Sequence, residues 1–296
     1  MNSELKGDIR TVADTQSDYP KALREIADRP PVIYVKGRWP LPEGALAIGI
    51  VGSRRATPYG LEATRTLTTD LVNAGVMTVS GLAAGIDACA HRTTLEKGGW
   101  TLAILGHGFG YSYPKENLPL FAEIARHGTL VTEFPYDTRP LPPHFPQRNR
   151  IISGLSHGVA VMEAGERSGA LITARFAAEQ GRDVYALPGS IFSPLSRGCH
   201  RLIKEGAKAL ESAEDILAEY GSGNPKGPAR RYKKLAEDLS PLECQLVEWL
   251  SAAPMSIDEL VELSGTPVEQ LAQTLLSLEL KERIQALPGQ RYVTYN

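Results

Sequence analysis

The sequence predicts an α/β fold, in which a doubly wound, mostly parallel sheet is followed by a small C-terminal winged-helix domain. Six short apolar runs, at 46–51, 76–80, 100–105, 129–133, 158–163 and 183–187, have the length and composition of buried strands. The segments between them carry apolar residues at helical spacing, for example Leu67, Leu71 and Ala74. Strands that alternate with helices indicate parallel βαβ units, and 296 residues are enough for about two domains.

Residues 1–45 are expected to be an extended lead-in to this sheet rather than a domain. Two proline clusters, Pro30-Pro31 and Pro40-Leu41-Pro42, flank a short β-type run at 32–35. Proline pushes the residue before it out of the helical region, so an extended chain is favoured here. The sheet domain itself is expected to occupy residues 46–220.

The segment 221–234 is a predicted linker, because it is rich in glycine and proline and holds five basic residues and no acidic one. Residues 235–296 follow as a winged-helix-like domain with three helix-start signals, at 240–243, 256–259 and 266–269. Each signal places a hydroxyl at the N-cap and a glutamate three residues later. Three short helices and two strands in about 60 residues are typical of a winged helix.

The composition excludes several classes of protein. With 32 basic and 34 acidic residues the net charge is −2, so any site for a polyanion must be local. The first ten residues are polar and no apolar run is long enough to cross a bilayer, so we expect a cytoplasmic protein with no membrane partner. Cys89, Cys199 and Cys244 lack the spacing of a disulfide framework or a zinc site, and no metal site is expected.

Small and basic residues follow three of the predicted strands. They form the stretches Gly52-Ser53-Arg54-Arg55, 81–87 (with Gly81 and Ala83) and 163–169 (ending in Ser168 and Gly169). The carboxyl ends of parallel strands share one rim, where backbone N–H groups at helix entrances bind anions. The rim therefore predicts a phosphate site, although in any single loop glycine can serve turn geometry alone. No complete dinucleotide or P-loop fingerprint is present, so no cofactor is expected.

The segment after the fourth predicted strand combines positive charge with an aromatic ring. Between Arg139 and Arg150 there are three arginines, no acidic residue and one phenylalanine, Phe145. Cationic groups that track phosphates beside a ring that stacks on a base are typical of single-strand binding. The alternative for Phe145 is a core position beneath the loop. Arg148 and Arg150 point to different sides if helical, so one can form a structural ion pair while at least one should reach the ligand.

Taken together, these loops resemble the DNA-processing protein A (Smf) family of bacterial single-strand DNA-binding proteins. The resemblance is carried by Gly52-Ser53-Arg54 and by the stretches 80–87, 113–117, 144–156, 163–173 and 187–190. It implies an extended Rossmann domain that binds single-stranded DNA, protects incoming strands, forms a homodimer and loads a RecA-type recombinase during natural transformation. It implies no catalytic activity.

The resemblance also implies a set of DNA-binding residues: Ser53, Arg54, Arg55, Gly81, Ala83, His144, Phe145, Arg148, Asn149, Ser168 and Gly169. Within this set, Ser53 and Arg54 resemble a phosphate-binding pair, and Ser168 and Gly169 complete the groove. Phe145, Arg148 and Asn149 resemble contacts to the DNA strand. Two departures weaken the match around them. No lysine is present at 141–143, before the His-Phe-Pro stretch, and His200 stands where the family often has asparagine.

The alternative function is a nucleotide-processing hydrolase on a related Rossmann scaffold, similar to the phosphoribohydrolases of cytokinin activation. Glu163 and Glu166 would then be an acid and base pair, whereas otherwise they form salt bridges with neighbouring arginines. Such enzymes are expected to carry a Pro-Gly-Gly-x-Gly-Thr-x-x-Glu loop, and this chain has Glu163-Ala-Gly-Glu-Arg-Ser-Gly-Ala-Leu instead. No nucleophile with a matched base is apparent in the sequence, so the non-catalytic function is favoured.

Charge is distributed unevenly along the chain. Residues 1–220 carry 24 basic and 24 acidic residues, 221–234 carry 5 and 0, and 235–296 carry 3 and 10. The candidate recognition helix of the last domain, 267–280, contains neither lysine nor arginine, which is unsuited to a DNA backbone. We therefore expect the small domain to contact proteins, while the basic linker either touches DNA or folds back onto the acidic domain.

Overall fold

The chain divides into two compact units, Met1–Asn224 and Pro225–Asn296. The computed structural model describes residues 9–221, 240–252, 254–281, 283–287 and 291–294. Apart from Gly221, the predicted linker at 221–234 lies outside the described residues.

The first unit alternates strands and helices, as the sequence predicts. Its elements are β1 (Arg10–Ala13), α1 (Lys21–Arg24), β2 (Val32–Gly37), β3 (Ala47–Val51), α2 (Pro58–Asn73), β4 (Met77–Ser80), α3 (Ile86–Glu96), β5 (Thr101–Ile104), α4 (Leu118–His127), β6 (Thr129–Thr132), α5 (His144–Gly154), β7 (Gly158–Val161), α6 (Gly169–Glu179), β8 (Asp183–Ala186), α7 (Arg197–Lys204), β9 (Lys208–Ala209) and α8 (Glu214–Leu217). The six predicted strands are β3 to β8, each confirmed to within two residues at either end.

These nine strands form one sheet in the order β1-β2-β6-β5-β4-β3-β7-β8-β9. The seven strands from β6 to β9 in this order pair in parallel, whereas β1 and β2 are antiparallel. Most residues of β3 to β8 are buried, since helices cover both faces of the sheet. The doubly wound, mostly parallel sheet predicted from the sequence is confirmed.

The first 45 residues do more than lead into the sheet. β2 pairs with β6, from Tyr34 opposite Thr132 to Gly37 opposite Thr129, and β1 pairs with β2. Alternate side chains of β2, Ile33 and Val35, are buried in the core. The expectation of an extended lead-in is therefore corrected, because antiparallel strands at the edge of a sheet need no crossover helix and so leave no βαβ signature in the sequence.

The order of the strands fixes where a ligand can bind. The chain runs from β3 through β4 and β5 to β6 on one side, and α5 then returns it to place β7 on the other side of β3. Because the loops after β3 and β7 diverge to opposite sides, a crevice opens at the carboxyl ends of these two strands.

The second unit consists of α9 (Pro241–Ala252), β10 (Met255–Ser256), α10 (Ile257–Ser264), α11 (Val268–Leu280), β11 (Ile284–Leu287) and β12 (Arg291–Thr294). The three predicted helices and two-stranded hairpin are confirmed, and β10 adds a short third strand beside β12. Capping boxes begin α9 at Ser240 and α10 at Ser256. The third predicted box is wrong, because α11 starts at Val268 with Pro267 as its N-cap and no side-chain cap.

Candidate nucleic-acid interface

A cleft of about 730 Å³ lies at the carboxyl ends of β3 and β7. The loops after β3, β4 and β7 line it, together with the first turns of α5 and α6 and with Tyr113 and Leu195. Four arginines are among its lining residues, Arg54, Arg55, Arg148 and Arg167, and among the described residues the only carboxylate that lines it is Asp87. The cleft is therefore a local positive site on a unit whose total charges balance.

The loop after β3 presents two exposed arginines on a fixed backbone. Ser53 is buried, and its Oγ accepts a hydrogen bond of 3.1 Å from the backbone N–H of Arg55. This turn leaves the side chains of Arg54 and Arg55 exposed. The guanidinium carbon of Arg54 lies 5.8 Å from the ring centre of Phe145, so the first loop reaches α5 across the cleft.

The loop after β4 is held in a conformation with little freedom. Leu82 is the one described non-glycine residue with a positive φ, 58°, and Gly85 has a φ of 77°. A Cβ at Gly85 would lie 2.2 Å from the carbonyl oxygen of Ser53, so only glycine fits there. The buried carboxylate of Asp87 accepts hydrogen bonds from the N–H groups of Gly81 and Ala83, at 3.1 and 3.4 Å. This loop forms a rigid floor for the cleft.

Arg148 lies beneath that floor rather than on its surface. Its side chain is buried and donates to the carbonyl oxygens of Gly81, at 2.7 Å, and of Ile104, and to Oδ1 of Asn149 at 3.2 Å. Burial lowers the pKa of Arg148 to about 10, and the nearby Asp87 opposes that shift. Burial likewise raises the pKa of Asp87, against the effect of Arg148. The two groups therefore stabilise the loop from beneath, and their opposite charges offset each other.

Of the two arginines on α5, Arg150 is the one that forms a structural ion pair, a choice that their spacing in the sequence left open. Its Nη1 and Nη2 atoms each donate to a carboxylate oxygen of Glu133 at 2.7 Å. Its Nε donates to Asp28 at 3.0 Å, and the side chain is 6% exposed. Arg150 therefore ties α5 to the loop after β6 and to the segment after α1, and it does not line the cleft.

Phe145 is half-buried at the edge of the cleft. Its ring centre lies 5.4 Å from that of Tyr113, and the ring packs against the backbone of Gly106. A ring in this position has support behind it and still borders the cleft. His144, one residue earlier, instead stacks on Phe134 with ring centres 4.4 Å apart and lies outside the cleft.

The first turn of α6 forms the wall opposite the arginine loop. Ser168 is the N-cap, and its Oγ accepts from the N–H of Ala170 at 3.3 Å. The amide of Asn149 donates to the carbonyl oxygen of Gly169 at 3.3 Å, which joins α5 to α6. The N-terminus of a helix carries partial positive charge that favours anions, and the exposed Arg167 adds a full charge beside it.

The two glutamates considered as an acid and base pair have structural partners. Glu163 is buried and accepts from the backbone N–H and Oγ of Thr57, at 2.7 and 2.6 Å. Glu166 is exposed, with a carboxylate oxygen 3.7 Å from Arg197. Within the described ranges no group of three histidine, cysteine, aspartate or glutamate side chains could hold a metal ion. The helices that the structure describes also include none long and apolar enough to cross a membrane.

Two family models match this chain. One, described as DNA recombination-mediator protein A, matches residues 10–221, and the other, described as the DprA winged helix domain, matches residues 231–290. The chain belongs to the DprA/Smf family. The resemblance in the loop motifs of the first unit is thereby confirmed, and the second family model extends the match into the second unit.

Relatives of known sequence and structure agree with this membership. The chain is 45% identical to the DNA processing protein DprA of Bacillus subtilis over 73% of each chain, and 40% identical to Protein Smf of Escherichia coli over 92% of this chain and 74% of the relative. The crystal structure of DprA from Streptococcus pneumoniae matches with a TM-score of 0.69 and 42% identity, over 73% of this chain and 76% of that one. A DprA structure from Helicobacter pylori, described as giving insight into its single-stranded DNA binding mode, matches with a TM-score of 0.66 and 29% identity, over 73% and 96%.

Nine of the eleven residues predicted to bind DNA line the cleft, and the exceptions are Gly81 and His144. Two of the other lining residues, Tyr113 and Arg167, lie in stretches that carry the family resemblance but were not among the residues predicted to bind DNA. Arg167 directly precedes the N-cap Ser168, so a basic residue beside a predicted helix start was the available signal. Tyr113 comes from the loop after β5, and only the fold shows that its ring contacts Phe145.

Proposed function

We propose that this chain binds single-stranded DNA in the cleft between β3 and β7 and is a non-catalytic DNA-processing protein. The observation that carries the proposal is the cleft itself, in which three exposed arginines and an α-helix N-terminus face a supported aromatic ring. Phosphates would lie along Arg54, Arg55, Arg167 and the first turn of α6, while a base stacks at Phe145. The DprA relatives and the DNA-binding mode described for the Helicobacter pylori protein support the same ligand.

Single-stranded rather than duplex DNA is the expected ligand, because the aromatic ring can act only on an unpaired base. In a duplex the base faces are stacked on each other and only their edges are open in the grooves. Phe145 is half-buried and backed by Gly106, so it cannot reach far out to wedge a duplex apart. A flexible single strand can turn a base toward the ring while its phosphates stay on the arginines.

The wider role proposed is that of a cytoplasmic homodimer that protects incoming single strands and loads a RecA-type recombinase during natural transformation. Membership of the DprA/Smf family supports this role. The acidic second unit would contact proteins, since its third helix, α11, has no lysine or arginine with which to hold a DNA backbone. A nucleotide hydrolase is not favoured, because the two candidate glutamates bond to Thr57 or lie beside Arg197.

A titration with one oligonucleotide as a single strand and as a duplex tests the proposal. Fluorescence anisotropy at two salt concentrations should show tighter binding of the single strand and an affinity that falls as salt rises. The same protein incubated with nucleoside monophosphates should release no free base. Equal affinity for both forms of DNA would contradict the cleft as a single-strand site, and release of base would favour the hydrolase.

A further inference from the structure

The loop after β8 presents two apolar side chains to solvent beside the cleft. Phe192 is 89% exposed, the highest value for a large apolar side chain in the described residues, and Ile191 is 74% exposed. Three residues further on, Leu195 lines the cleft. A chain of three residues spans at most about 11 Å, so Phe192 lies just beyond that end of the cleft.

This exposure does not come from a loosely held loop. The carbonyl oxygen of Pro188 accepts from the Tyr59 hydroxyl at 2.6 Å, and His200 Nε2 lies 3.0 Å from the carbonyl oxygen of Gly189. At the other end, the carbonyl oxygen of Leu195 accepts from the N–H of Ala164 at 2.8 Å. The loop is therefore fixed to α2, α7 and the segment after β7, and it holds the aromatic side chain outward.

The charges around Phe192 favour a polyanion over a basic protein partner. From Leu187 to Arg201 the chain contains no aspartate or glutamate, and it contains Arg197 and Arg201. Both arginines lie on α7, the helix that follows this loop, and each is at least half exposed. Their ion-pair partners, Glu166 and Glu205, are exposed as well and lie at 3.7 Å, so a phosphate can compete for either arginine. An exposed aromatic ring with cations beyond it, continuous with a cationic cleft, is the arrangement that holds a single strand by stacking and phosphate contacts.

We propose that Phe192 stacks on a second base of the bound strand, which continues out of the cleft across Leu195 and over the loop after β8. This inference rests on the proposed function, because the strand must first lie in the cleft. Phe145 would stack a base at one end of the cleft and Phe192 a base beyond the other. The binding site then has two aromatic platforms, and only a strand long enough to leave the cleft reaches the second.

The test is a titration of the full-length protein and its Phe192→Ala variant with oligothymidylates of about 4 to 16 nucleotides, the range of common single-strand site sizes. Phe192→Ala should bind the shortest strands as tightly as the parent chain does. It should bind the longest strands about fivefold to hundredfold more weakly, as expected for one lost stacking contact. Phe192→Trp should retain the affinity, and Phe192→Leu should lose it as Phe192→Ala does.

Matched variants distinguish stacking on a base from a general apolar contact. Ile191→Ala removes a neighbouring apolar side chain and should change the affinity less than twofold, so a loss equal to that of Phe192→Ala would overturn stacking. Retained affinity in Phe192→Leu would overturn it as well. An unchanged DNA affinity at every length, with an altered sedimentation coefficient, would assign Phe192 to a contact between copies of the chain instead.

Arg54→Ala shows which proposal has failed if Phe192→Ala has no effect. Arg54 lies in the cleft, so its loss should weaken binding of strands of every length. If Arg54→Ala weakens binding and Phe192→Ala does not, the second platform is wrong while the cleft remains the site. If neither variant changes the affinity, the proposed function itself is contradicted.

Discussion

Replacement of Arg54 by alanine tests the electrostatic part of the proposed function most directly. Three exposed arginines line the cleft, Arg54, Arg55 and Arg167. Each phosphate contact on a single strand contributes about −0.7 to the slope of log K against log salt, so three contacts give a slope of about −2. Removal of one should bring the slope to about −1.4 and weaken binding about fivefold at 0.1 M salt.

The same substitution should leave the fold intact. Arg54 is exposed, and the contact that the structure shows for it is the one with the Phe145 ring at 5.8 Å, worth about 0.5–1 kcal/mol at an exposed site. The melting temperature should therefore change little. Arg54→Lys keeps the point charge and should restore most of the slope, because counterion release depends on charge more than on guanidinium geometry.

Fluorescence anisotropy at four or more salt concentrations measures the slope, and Arg126→Ala is the matched control. Arg126 is an exposed arginine on α4 that does not line the cleft, so its loss changes the net charge equally without removing a phosphate contact. If Arg54→Ala shows the same slope of log K against log salt as the parent chain, the phosphate contact is refuted. An equal loss in Arg126→Ala would show that net charge, rather than the cleft, governs binding.

Four further outcomes are expected. Phe145→Ala should weaken single-strand binding by about 1–3 kcal/mol with a smaller loss of stability, which a titration beside a thermal melt measures. Arg150→Ala leaves the carboxylate of Glu133 without its bidentate partner and should lower the free energy of unfolding, measured with urea, by about 3–5 kcal/mol. The DNA affinity of the folded variant should be unchanged. Deletion of 235–296 removes a net charge of −7 and should leave affinity unchanged or slightly higher, whereas a tenfold loss would show that this unit holds DNA. The hydrogen-bond partners of Glu243 lower its pKa from 4.5 to about 2, so the second unit should lose stability as the pH falls through that range. Glu243→Gln should remove this pH dependence, which a circular-dichroism titration measures.

The central sheet was predictable because its signals are local. Each strand from β3 to β8 has four or five residues, most of them buried, and lies between helices, and the sequence alone places all six. β9 has two residues, Lys208–Ala209, and a strand that short and partly polar has no pattern to detect. β2 depends on antiparallel pairing with β6, and β1 on pairing with β2, and such pairing is a property of the tertiary fold rather than of their own sequence.

The candidate site was predictable as a set of loops but less so as a set of contacts. The rule that ligands bind at the carboxyl ends of parallel strands brings the loops after β3, β4 and β7 together without any coordinates. The same rule does not say which polar side chains turn inward. His144 is next to Phe145 in sequence, yet it packs on Phe134 while Phe145 borders the cleft. Packing between non-adjacent segments decides such cases.

The arginine pair on α5 shows what helical geometry adds to the sequence. Residues two apart on a helix are separated by about 200° around its axis, so Arg148 and Arg150 cannot serve the same surface. Arg150 meets Glu133 and Asp28, whereas Arg148 turns beneath the floor of the cleft and donates to main-chain carbonyl oxygens. Arg148 is held by main-chain carbonyl oxygens and lies near Asp87, so it offers no exposed cation to a phosphate and should not add to the salt slope. The expected salt slope is therefore about −2, from the three exposed arginines, rather than about −2.8, from all four arginines that line the cleft.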